Sequence, residues 1–80
     1  MKTMKTQEFV KLFIEELEIE NSEINLDTEL STIEEWNSMA VMLVIAIADD
    51  HFGVQLKNED IQKATNIRSL TEIIGIKNFE

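Results

Sequence analysis

The feature that most constrains this 80-residue chain is an unbroken apolar run, Met39 to Ala48, set directly behind the polar pair Asn37-Ser38. A short side-chain oxygen at Asn37 or Ser38 can accept from the orphan N–H groups of a first helical turn. The junction therefore reads as a helix start, with Ser38 at or beside its positive end, a place that suits an anion. Val41 through Ala48 is apolar on every side, so period alone would also fit a buried strand. Length, the alanines and methionines, and the capping context favour a helix from Met39 to Phe52, closed by Gly53.

A helix so apolar needs neighbours, and the chain offers three. Phe9, Val10, Phe13, Ile14 and Leu17 recur at steps of one, three and four between Glu8, Lys11, Glu15 and Glu16, which predicts an amphipathic helix over Gln7 to Leu17. Asn58-Glu59-Asp60 reads as a cap with acids in the first turn of a short helix through about Ala64, after an extended Val54-Gln55-Leu56. Ser69-Leu70-Thr71-Glu72 has the spacing of a capping box and opens a last helix with Leu70, Ile73 and Ile74, which Gly75 stops early. Between the first two helices, Asn21-Ser22-Glu23, Asn25, Asp27, Thr28, Ser31 and Thr32 favour turns. Ile24, Leu26, Leu30, Ile33 and Trp36 anchor this long connection to the core. The expected fold is a small all-α four-helix bundle with a long ordered first loop, one domain over residues 1–80.

Composition removes whole classes of function. Without Cys there is no disulfide, thiolate nucleophile or thiolate zinc site, so any thiol must be added. Seven basic against sixteen acidic residues give a net charge of −9, which repels nucleic acid and anionic membranes and complements basic protein surfaces. The start has no signal-peptide core and the apolar run is short of the ~20 residues that span a bilayer, so a cytoplasmic protein without membrane insertion is expected.

Ser38 is not a hydrolase nucleophile. There is no Gly-x-Ser-x-Gly elbow, and His51, the one histidine, lies roughly 20 Å along the same helix. His51 reads as a polar residue suited to the helix end. Glu23, Asn25, Asp27, Leu30 and Glu34 approach an EF-hand register, but Thr28 replaces the glycine of the sharp turn and Glu23 the leading Asp, so no metal site is assigned.

Taken in order, Trp36-Asn37-Ser38-Met39, then Ala48-Asp49-Asp50-His51-Phe52-Gly53-Val54-Gln55-Leu56, then Asn58-Glu59-Asp60-Ile61 and Ile67-Arg68-Ser69-Leu70, the chain resembles an acyl carrier protein over nearly its whole length. The resemblance implies a non-enzymatic discrete carrier. Ser38 would bear 4′-phosphopantetheine, added from coenzyme A by a phosphopantetheinyl transferase, and acyl, aminoacyl or ketide intermediates would ride on it as thioesters. Acyl-loading and acyl-transfer or synthase enzymes are the implied partners of a monomer.

Trp36, Asn37, Met39, Ala40 and Leu43 are expected to meet the transferase and partners, Trp36 serving mainly as a loop anchor. Met39 and Met42 are read as packing in the first turn. Val41, Ile45, Leu56, Ile61 and Ala64 are expected to line a cleft for a short acyl chain between the second and third helices. Two departures from the family pattern stand out. Asn37 occupies the usual Asp position, which removes a charge useful to the transferase. Ala40 and Leu43 stand where exposed acids are usual, which points to a specialised pathway and apolar partner contacts. The competing reading is a helical adaptor, or a calcium-responsive EF-hand-like protein, docking through the apolar second helix.

Overall fold

A computed structural model of the chain describes residues 3–20 and 23–80. The turn expected at Asn21-Ser22 lies outside the described residues. Among these residues the elements are α1 (Thr6–Glu16), a 3₁₀ turn (Leu30–Thr32), α2 (Ser38–Phe52), α3 (Asn58–Gln62), α4 (Ile67–Ile74) and a final 3₁₀ turn (Ile76–Asn78). Two isolated bridges, Met4 with Phe79 and Glu29 with Asn66, take the place of any strand among them. The all-α reading holds, and no helix of the described residues is long and apolar enough to cross a membrane.

α1 buries Phe9 and Phe13 completely, as its period requires. It ends in a left-handed turn that the sequence hides. Glu18, at φ 53°, donates its N–H to the Glu15 carbonyl, and the Ile19 N–H reaches the Ile14 carbonyl at 3.0 Å. This is the six-to-one closure usually made with glycine, and it costs a β-carbon-bearing residue about 1 kcal/mol. Ile19, 8% exposed, is folded back onto the core by it.

The long connection is pinned down by its own polar groups. Asn25 Oδ1 accepts from the Asp27 N–H at 2.8 Å, and Thr28 Oγ1 accepts from the Asn25 N–H at 2.9 Å. Arg68 N–H donates to the Leu26 carbonyl and Leu30 N–H to the Thr65 carbonyl, both at 2.9 Å. Ile24, Leu30 and Ile33 are buried, and the Trp36 ring lies 5.9 Å from that of Phe13. The anchors therefore do what their scattering predicted.

The helix starts follow from which side chain supplies each cap, Asn37 of the expected pair in α2 and an unexpected residue in α3 and α4. α2 begins at Ser38, one residue early, because Asn37 caps it. In α3, Lys57 takes the cap position in place of Asn58, since the Asp60 carboxylate accepts from the Lys57 N–H at 2.9 Å, and the helix stops at Gln62, short of Ala64. α4 starts at Ile67, not at Ser69. Asn66 Oδ1 accepts from Ser69 N–H at 2.9 Å and Ser69 Oγ accepts from Asn66 N–H at 3.0 Å, so Ser69 is the inner half of the box and Asn66 the cap. The earlier start puts Ile67 and Leu70 fully inside.

The termini close the bundle. Met4 N–H donates to the Asn78 carbonyl and Glu80 N–H to the Met4 carbonyl, each at 2.9 Å, while the Phe79 ring sits 5.4 Å from Phe9 and 5.1 Å from Phe52. One continuous core results, running from Phe9 and Phe13 through Val44 and Ala48 to Ile61, Ile67 and Leu70.

Candidate functional site

The site is built at the first residue of α2. Asn37 is extended (φ −147°, ψ −173°), and its Oδ1 accepts from the Ala40 N–H at 3.0 Å. With the cap filled by its neighbour, the Ser38 hydroxyl makes no hydrogen bond and stands exposed. The Ser38 and Met39 N–H groups have no carbonyl partner, and the first turn carries no acid. A free hydroxyl thus stands beside unneutralised donors at the positive end of a 15-residue helix.

Asn37 caps α2, and an Asp at this position could do the same, since either side chain offers the accepting oxygen. Asn37→Ala is expected to lower stability by about 1 kcal/mol and Asn37→Asp to hold or slightly raise it. Urea unfolding of the two variants checks this; equal losses in both would refute the capping role.

Two expectations about α2 are corrected. Met39 and Met42 do not pack inside: they are 71% and 69% exposed. Ala40, expected on the partner-facing surface, is buried at 2%. The reason is phase. Ala40, Val44, Ile47 and Ala48 form the inward stripe, which turns Met39, Met42 and Ala46 to the opposite side. Leu43 is half-buried and keeps an edge toward the surface.

Of the residues expected to shelter a chain between α2 and α3, Val41, Ile45 and Leu56 are partly buried against the core and Ile61 is 1% exposed. Ala64 instead opens on a cleft of about 310 Å³ lined by Glu29, Leu30, Ser31, Trp36, Ala64 and Thr65. The sequence marks Ser31 only as a turn residue and does not mark Thr65, and no local signal pairs residues so far apart. A second cleft, of about 210 Å³, lies where Met39 and Leu43 meet the end of α1, and carries Glu16, Glu18 and Glu35.

The other candidate side chains lie away from Ser38 or are engaged elsewhere. His51 is exposed in the last turn of α2, at the far end from Ser38. The Asp27 carboxylate is held by Arg68 at 2.9 Å, and Asn25 Oδ1 is already taken by a backbone N–H, so two of the would-be calcium ligands are otherwise engaged. Among the described residues no group of three or more His, Cys, Asp or Glu side chains is placed to hold a metal ion.

A family model described as "Phosphopantetheine attachment site" matches residues 7–74. No curated protein and no solved structure matches the chain. Domains of this family are non-catalytic carriers of covalent 4′-phosphopantetheine that work with synthase or transferase enzymes. With the match spanning α1 to the end of α4 and the fold all-α, the chain belongs to the phosphopantetheine-binding carrier family, that of the acyl carrier proteins.

Proposed function

We propose that Ser38 is the attachment residue and that the domain carries acyl, aminoacyl or ketide intermediates in a specialised lipid or secondary-metabolite pathway. The observation that carries this is the free, exposed Ser38 hydroxyl at the start of α2, beside N–H groups with no partner. A phosphodiester there would keep a negative charge against the helix's positive end, an interaction of about 0.3–1 kcal/mol at an exposed site. The bound group supplies the thiol on which thioesters form, and the Cys-free chain has no sulfhydryl that could compete with it.

The domain itself performs no catalysis. His51, its one imidazole, stands at the opposite end of α2 from the serine. A single core and a family match over residues 7–74 support reading the chain as one domain. A cytoplasmic site of action and a monomeric carrier accord with dependence on coenzyme A and with the −9 charge.

Partners meet the exposed side of α2. Met39 and Met42 make that side apolar next to the attachment point, with Leu43 at its edge, while Trp36 and Asn37 lead into it. Such a surface favours enzymes that dock by apolar contact, hence a dedicated set.

Co-expression with a broad-specificity phosphopantetheinyl transferase, followed by intact-protein and fragment mass spectrometry, tests the proposal. One phosphopantetheine mass localised to Ser38 is expected. No mass gain, or a gain on Ser31 or Ser69, would sink it.

A further inference from the structure

Three methionines lie among the described residues, and the fold places them in different surroundings. Met4 is half-buried against the core, with its backbone tied to Asn78 and Glu80. Met39 and Met42 are largely exposed. With Ile76 they are the exposed large apolar side chains, and these two stand on α2 beside Ser38.

We infer that the Met39 and Met42 thioethers form a paired oxidation site open to peroxide, and that their conversion to sulfoxides closes α2 to the enzymes that act at Ser38. The second half rests on Ser38 being the attachment point. The first half does not.

The chemistry needs one oxidant. The thioether sulfur attacks an oxygen of hydrogen peroxide, the O–O bond breaks, a sulfur–oxygen bond forms, and the other oxygen leaves with both hydrogens as water. Sulfur gives up two electrons and the peroxide takes them. Susceptibility follows access to the sulfur, so Met39 and Met42 react ahead of Met4. Hydrogen peroxide is neutral, so Glu16, Glu18 and Glu35, which share a cleft with Met39, do not repel it. The Cys-free chain has no thiolate to take the oxidant first.

Position turns this reaction into regulation. An enzyme acting on the Ser38 hydroxyl has to cover the start of α2, where Met39 is the next residue and Met42 lies three further on. Residues at that spacing are neighbours on one side of a helix. In the reduced form they offer a partner soft apolar surface. As sulfoxides they offer two strong acceptors, which lose their water on docking and find no donor in an apolar partner surface. The bundle itself is spared, because the inward stripe of α2 is Ala40, Val44, Ile47 and Ala48. The change is also reversible. Sulfoxide reductases, one for each sulfur epimer, remove the oxygen as water while a dithiol is oxidised to a disulfide.

The experiment treats the full apo chain with limiting hydrogen peroxide, removes the excess with catalase, and then adds a broad-specificity phosphopantetheinyl transferase and coenzyme A. Peptide mass mapping should find one-oxygen gains at Met39 and Met42 while Met4 is still mostly thioether, with the urea midpoint unmoved. Attachment of the phosphopantetheine arm should slow about tenfold, which corresponds to about 1.4 kcal/mol of docking free energy. Treatment with both reductases should restore it. The double variant Met39→Leu/Met42→Leu keeps Met1 and Met4. Its rate, whatever the starting value, should be the same before and after peroxide. Met4 oxidised as fast as the α2 pair overturns the oxidation site. An oxidised parent that takes the arm at the untreated rate, or a variant slowed as much as the parent, overturns the closure of α2 and leaves attachment standing. An untreated parent that gains no mass at Ser38 overturns the attachment reading, and the closure with it.

Discussion

Ser38→Ala is expected to fold like the parent and to gain no arm at all under conditions that convert the parent completely. Both halves follow from the same local fact. The Ser38 hydroxyl has no hydrogen-bond partner, so removing it strands nothing. Alanine is a good helix former, and the cap is supplied by Asn37, so stability should change by no more than about 0.5 kcal/mol. Ser69→Ala makes the contrasting control. Its hydroxyl accepts from the Thr65 and Asn66 N–H groups and donates to the Asn66 carbonyl, so its loss should destabilise by about 1–2 kcal/mol while the arm still attaches. Mass spectrometry and urea unfolding of the two variants read both quantities. A Ser38→Ala protein that still takes up the arm would move attachment elsewhere.

Phe13→Ala should do the reverse, costing most of the fold and touching no chemistry. Phe13 is 0% exposed, and its ring lies 6.5 Å from Phe9 and 5.9 Å from Trp36. Phe→Ala in a core costs about 3–5 kcal/mol. A domain of this size holds about 4–12 kcal/mol in total, so the variant should be substantially unfolded or nearly so. Trp36 would lose its brace as well, loosening the long connection that leads into α2. Urea titration followed by Trp36 fluorescence measures this. A midpoint shift worth less than about 1 kcal/mol would mean that the Phe13 pocket collapses freely and does not organise the bundle.

How far the sequence could be read shows at particular residues. Phe9 and Phe13 announced α1 by spacing, and the core followed because burial is set by helical period. The apolar run behind Asn37-Ser38 announced α2, and Gly53, at φ 67°, closes it as expected. The sequence points to a box at Ser69 because Ser69-Leu70-Thr71-Glu72 fits the usual pattern, whereas the structure forms it from Asn66 with Ser69 as the inner residue. Only the burial of Ile67 and the loop bonds into Leu26 and Leu30 select between them. The end of α1 at Glu18 carried no glycine to mark it. Met39 and Ala40 exchanged expected sides, since a run apolar on every face has no phase until neighbours impose one.

Local chemistry written into the order of residues determined the helices, the serine at the mouth of α2 and the absence of any intrinsic thiol. Such properties depend on spacing and side-chain type within a few positions. The tertiary structure alone decided which face of α2 meets solvent, that Ala64 joins Trp36 and Ser31 around a cleft, and that carboxylates gather on the other flank. Those features bring together residues tens of positions apart, and their proximity comes from packing of the whole core, which no short stretch of chain encodes.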